Sequence, residues 1–173
     1  PTILGQRITG GEAVRQWAAL CRLLGEPAPG PFAGMLLPPA PDVMAATPTW
    51  QLHRLGIERK RAAALVEVAR HAPKLHRWIT LEPAEARNRL TLLRGVGPWT
   101  IGNVLRTAWG DPDAVAVGDY HHKNTVSWAL ASEPRGTDER MLELLEPYRG
   151  QRGRVVRLLG LHAGHAPACG PCH

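Results

Sequence analysis

An all-α fold is predicted for this 173-residue chain by three observations. Apolar residues recur at helical spacing over most of its length, and clusters of glycine and proline punctuate the periodic stretches. Val115-Ala116-Val117 is the one run of strand-like composition, too short to found a sheet. Thr9-Gly10-Gly11-Glu12 has the spacing of a capping box, with Ala13, Trp17, Leu20, Cys21 and Leu24 forming an apolar face behind it. Residues 26–41, "EPAPGPFAGMLLPPAP", form a loop. Pro41-Asp42 leads into a short helix over 42–46, and a second over 48–54 ends near Gly56. "IERKRAAALVEVARHAPKL", residues 57–75, is the clearest long helix, with Ile57, Ala64, Leu65, Val68 and Ala72 close to the helical period. Further helices are expected over 76–80, 83–92, 98–109, 119–131, 137–146 and 151–162, joined by short connections.

At 44% hydrophobic and 21% charged, the chain has the composition of a globular domain able to bury a core. No apolar run approaches the roughly 18–20 residues of a membrane span, and no signal-peptide pattern opens the chain. It begins at Pro1 inside an apolar segment, so a domain cut from something longer, with a further N-terminal segment missing, is expected. The net charge of +6 points to an acidic partner, nucleic acid first. Of 21 basic residues only Lys60, Lys74 and Lys123 are lysines, a bias that a GC-rich genome also produces. Three cysteines, one inside a helical pattern and two at the end, do not make a disulfide scaffold; a reducing cytoplasm fits best.

The stretch "LLRGVGPWTIGNVL", residues 92–105, carries the first chemical signal. A helix over 83–92, the turn Leu93-Arg94-Gly95-Val96-Gly97 and a helix opened by Pro98 make a helix–hairpin–helix over about 83–109. Amides of the turn and of the first helical turn lack partners at the positive end of a helix dipole, an anion site for which a DNA phosphate is the natural occupant. A plain αα-hairpin with glycine at a helix C-terminus is the alternative. Asp119 follows the apolar run and precedes a helix, where it is an N-cap, a catalytic carboxylate, or both.

With Asp119 twenty residues after Trp99, the motif L-x-G-V-G-x-W-T resembles the helix–hairpin–helix (HhH-GPD) superfamily of DNA glycosylases, and within it the AlkA-type DNA-3-methyladenine glycosylases. "ILGQRITGGEA", "LHRLGIERKRAAALVEVA" and "PYRGQRGRVVRLL" resemble further segments of that family, so the likeness runs from about residue 3 to 160. It implies a helical bundle of two small lobes with a cleft between them, a glycosylase domain over 1–162 and a tail over 163–173. Asp119 then matches the essential aspartate, and Gly95, Val96 and Gly97 the phosphate-holding hairpin, with Arg94 and Thr100 beside it as DNA contacts. The carbonyls of Thr91, Leu93 and Val96 match positions that hold a structural monovalent cation in many relatives; no other cofactor is implied. Gln6 and Arg7 match residues that fill the gap left by an extruded nucleotide, though relatives often have leucine where Arg7 stands.

The resemblance implies a monomer acting on double-stranded DNA, with no membrane role, in a bacterial cytoplasm. The reaction would pass through an oxocarbenium-like sugar that Asp119 stabilises while orienting or deprotonating water. Bifunctional members carry a lysine at the position of Trp99; tryptophan forms no Schiff base but stacks on a cationic base, a contact of about 0.5–2 kcal/mol. A monofunctional enzyme that removes alkylated purines and leaves an abasic site is therefore expected. Asn103 stands where relatives place a second pocket aromatic, and Leu158 and Leu159 where some have another tryptophan. Tyr120, His121 and His122 are expected on an exposed helix face, and Lys123 within reach of an i,i+4 pair with Asp119. "HAGHAPACGPCH" contains His162, His165, Cys169, Cys172 and His173, formally a haem string or a zinc set, but a tail without metal is expected. The alternatives are a glycosylase for deaminated or mismatched bases and a non-catalytic DNA-binding module; RNA-binding signatures are lacking.

Overall fold

Side-chain caps or prolines open most of the helices. A computed structural model describes residues 1–162. Helix α1 (Gly10–Leu24) opens at Thr9, whose hydroxyl accepts from the Glu12 amide. The other half of the expected box is replaced: Glu12 Oε1 accepts instead from Gln16 Nε2. Helices α2 (Pro41–Ala46) and α3 (Thr49–His53) follow the proline-rich loop. Helix α4 (Arg59–Arg70) is followed at once by α5 (Ala72–Trp78), with His71 between them at φ −93° and ψ 5°. The single helix expected over 57–75 is thus broken, and the separate one over 76–80 does not exist. Pro73 has no amide to give the preceding turn and disfavours helical dihedrals before it, so the chain caps and restarts.

Helix α6 (Pro83–Leu90) leads to the glycine turn, and α7 (Pro98–Val104) leaves it. The helix expected to run on to residue 109 widens into a π-helical turn, Leu105–Trp109, closed by left-handed Gly110. Helix α8 (Tyr120–Ala131) starts one residue after its cap, Asp119. Helices α9 (Asp138–Leu145) and α10 (Arg152–His162) complete the order, with a 3₁₀ turn at Glu146–Tyr148 between them. Val115-Ala116-Val117 joins no sheet; among the described residues the sole β feature is an isolated bridge between Pro27 and Leu36. No described helix is long and apolar enough to cross a membrane.

The chain divides into two units within the glycine turn, Pro1–Val96 and Gly97 onward. The first is built on Leu4, Leu20, Met44, Leu52, Ile57, Ala62 and Val66, with Trp17 and Leu24 packed alongside. At its centre Arg61 is 5% exposed, its Nη1 donating to the Leu4 carbonyl (2.8 Å) and to Gln16 Oε1 (2.7 Å). The second is built on Val115, Val126, Met141, Leu145 and Val156.

Within the second unit, the segment ahead of Asp119 is gripped by two helices. A Cβ on Gly102 of α7 would lie 2.3 Å from the Val115 carbonyl oxygen, and one on Gly153 of α10 2.4 Å from that of Ala114. Both are glycine because backbone passes where a side chain would stand. The Arg154 amide donates to the Pro112 carbonyl (3.0 Å), and Asp113 Oδ1 accepts from the amides of Gly150 and Arg152. The Arg152 guanidinium pairs with both oxygens of the same carboxylate.

Candidate functional site

In the second unit, Asp119 is held by three donors. Its Oδ1 accepts from the amides of His121 (2.9 Å) and His122 (3.1 Å), as an N-cap should. Its Oδ2 accepts from Trp99 Nε1 at 2.8 Å. The cap and functional readings left open by the sequence therefore describe one geometry, in which capping fixes the carboxylate's direction. Burial, the largest single influence, pushes the carboxyl pKa up; the Trp99 donor, the neighbouring His122 and the two amides together outweigh it and hold it below the usual range. The group is an anion at neutral pH with its side chain only 18% exposed.

Trp99 is half-buried, and its ring edge is committed to Asp119. Asn103, one turn on, donates to the Trp99 carbonyl (2.9 Å) and accepts from Arg106 Nη2 (2.9 Å). Sequence reasoning missed Arg106, although residues 99, 103 and 106 follow the spacing of one helical face. Tyr120 and His121 are exposed as expected, their rings edge to face at 5.4 Å. His122 is not: its side chain is 24% exposed, its Nδ1 is shut from solvent without a partner, and that atom lies 3.9 Å from Asp119 Oδ2. Desolvation lowers the His122 pKa, with Asp119 opposing and Arg106 and His121 assisting. The expected Asp119–Lys123 pair is absent from the ion pairs of the described residues; Lys123 acts on Glu139 instead. Thr100, expected to touch DNA, is 3% exposed, so its side chain faces the interior and reaches no open surface.

In the first unit, the glycine turn and the opening segment meet through Gln6, whose Nε2 donates to the Gly95 carbonyl at 2.9 Å. Gly95 has φ +86°, and a Cβ there would stand 2.6 Å from the Cβ of Ala64 on α4. Turn conformation and helix packing both demand glycine at this position. Arg7, next to Gln6, is exposed and left-handed at φ 60°, a conformation costing a residue with a Cβ about 1–2 kcal/mol. Arg94 is exposed beside the turn. The Leu93 carbonyl accepts from the Val96 amide (3.1 Å), leaving it one lone pair. Thr91 caps α6 at a helix end, where carbonyls lack intrahelical partners.

Across the boundary, Gly97 opens α7 at φ −94° and ψ 179°, with nothing within 4 Å of where a Cβ would go. No feature of the fold requires glycine there. Among the described residues no three His, Cys, Asp or Glu side chains are grouped as a metal site. Cys21 is a buried free thiol. His165, Cys169, Cys172 and His173 lie outside the described residues.

No family model matches the chain. Over 140 residues, 80% of this chain and 49% of the relative, it is 30% identical to DNA-3-methyladenine glycosylase 2 of Escherichia coli K12. The chain thus spans about half the length of the curated relative it matches. A 3-methyladenine DNA-glycosylase from Archaeoglobus fulgidus has a TM-score of 0.79 at 22% identity, over 93% of this chain and 55% of that one. An 8-oxoguanine glycosylase/lyase of Clostridium acetobutylicum, solved with dsDNA containing cytosine opposite 8-oxoG, has a TM-score of 0.75 at 15% identity, over 94% and 57%. The shared all-helical fold therefore extends to nearly the whole of this chain.

Proposed function

We propose that the chain is a DNA glycosylase of the helix–hairpin–helix superfamily and that it hydrolyses the glycosidic bond of alkylated purines in duplex DNA, leaving an abasic site. The observation that carries the reading is Asp119: a partly buried carboxylate kept ionised by the Trp99 indole and two helix amides. A fixed anion of this kind stabilises a sugar that turns cationic as the base departs. It is a weak general base, since its depressed pKa favours the anion, so its main role is electrostatic. An alkylated purine of the 3-methyladenine type is already cationic and leaves without an acid to protonate it.

Gly97 and Arg7 support the DNA half of the reading. An unforced glycine beside amides that lack intrahelical acceptors allows a phosphate to approach. A left-handed, exposed arginine next to Gln6, whose side chain holds the Gly95 carbonyl, offers a long side chain to fill the space of an extruded nucleotide. The net charge of +6 favours the duplex as partner. A monovalent ion on the carbonyls of Thr91, Leu93 and Val96 would stiffen the turn.

The solved relatives of this fold include a glycosylase/lyase, so the fold does not choose between hydrolysis and strand cleavage. Trp99 favours hydrolysis: it offers no amine to attack C1′, and its nitrogen already serves Asp119. Duplexes carrying 3-methyladenine, 7-methylguanine, hypoxanthine and uracil test both points. Release of the methylated bases, with strand breaks appearing only after alkali and no adduct trapped by borohydride, is expected. Excision of uracil alone would move the substrate to deaminated bases, and a trapped adduct would overturn the monofunctional assignment.

A further inference from the structure

Beside Asp119 lies one side chain, the His122 ring, that neither capping nor the reaction uses. A carboxylate offers about four acceptor positions. Two on Oδ1 are filled by helix amides and one on Oδ2 by Trp99, which leaves a single position on Oδ2. His122 Nδ1 lies 3.9 Å from that oxygen, too far for a hydrogen bond, shut from solvent and without any partner. A buried ring nitrogen left in this state calls for an explanation, because such groups are nearly always satisfied. We propose that His122 is a positioning residue that gates Asp119: neutral, it leaves the last acceptor position of Oδ2 open for chemistry, and protonated, it closes that position with an ion pair.

The gating rests on the glycosylase reading of Asp119. The charged groups acting on His122 are Asp119 at the cap, Arg106 from the π-helical turn and His121 beside it on α8. Desolvation and the two basic neighbours keep the ring neutral at pH 7, and Asp119 alone favours its charge. Protonation would then come on the acid side of the ordinary histidine range. The acid limb of the excision rate would belong to a histidine, although the essential group is a carboxylate.

The test is base release from a methylated duplex between about pH 5 and 8, for the intact chain and for His122→Phe. Removing the ring nitrogen should keep the rate at neutral pH within about threefold and move the acid limb down by one pH unit or more. An unchanged acid limb overturns the gating, as does a loss of about thirtyfold or more at neutral pH. A second measurement needs no catalysis: NMR titration of the His122 imidazole in the intact chain and in Asp119→Asn, where asparagine preserves the cap. The midpoint should fall when the carboxylate is removed, and an unmoved midpoint overturns the proposal. Coupling by NMR without excision of any base would instead locate the failure in the glycosylase reading.

Discussion

At the scale of a residue, Trp99 supplies the side-chain donor to Asp119, and on the proposed reading it stands where bifunctional enzymes carry a lysine. Trp99→Phe keeps the aromatic face and removes the N–H, so the Asp119 pKa should rise and excision at neutral pH should fall about tenfold. Single-turnover rates with saturating enzyme would measure this, and an unchanged rate would reduce the indole nitrogen to a structural contact. Arg7 offers the opposite separation. Relaxing its left-handed backbone with Arg7→Gly should leave stability unchanged or raise it by about 0.5–1 kcal/mol while slowing excision. Denaturant melts together with rates would show whether the strain at this exposed arginine serves the reaction.

Among the elements, the glycine turn and the segment before Asp119 each rest on a specific contact. Gly95→Ala meets both a positive φ and the Ala64 methyl, so it should lower stability by about 2–4 kcal/mol. Gly97→Ala meets neither and should leave the melting temperature nearly unchanged while weakening duplex affinity. Paired melts and fluorescence-anisotropy titrations distinguish the two, and an equal loss of stability would make Gly97 structural. Asp113 tests the anchor on α10. Side-chain hydrogen bonds from Arg152 are the largest influence on its carboxyl, and its pKa is lowered despite opposing desolvation. A depressed carboxylate contributes stability above its ordinary value of about 3.8 and loses it as pH falls through the lowered one. Acid unfolding of Asp113→Asn should therefore show a shallower pH dependence below about pH 5 than the intact chain.

At the scale of the whole molecule, this is a basic helical protein whose candidate catalytic carboxylate is an N-cap. Much of that was legible in the sequence. Helical periodicity and the proline and glycine clusters placed most elements, and the Gly95–Gly97 turn with Asp119 twenty residues beyond Trp99 located both the hairpin and the carboxylate. The break at His71 was also readable, since Pro73 sits inside the helical run of residues 57–75. What could not be read depends on residues distant in the chain. Nothing near Gly102 or Gly153 announces the backbone of residues 112–116 passing against them. Arg61 stands among alanines with no local sign that Leu4 and Gln16 await its guanidinium. His122 looks like a surface residue until burial removes its solvent, and Thr100 like a surface contact until its exposure falls to 3%.

The claim on which the rest depends is that Asp119 carries glycosidic hydrolysis rather than only capping α8. Asparagine caps a helix about as well as aspartate and carries no charge. Single-turnover release of 3-methyladenine from a methylated duplex, by the intact chain and by Asp119→Asn matched for melting temperature and duplex affinity, separates the two roles. A rate lower by about two to three orders of magnitude is expected in the variant, with folding and binding retained. Equal rates in the two proteins would contradict it.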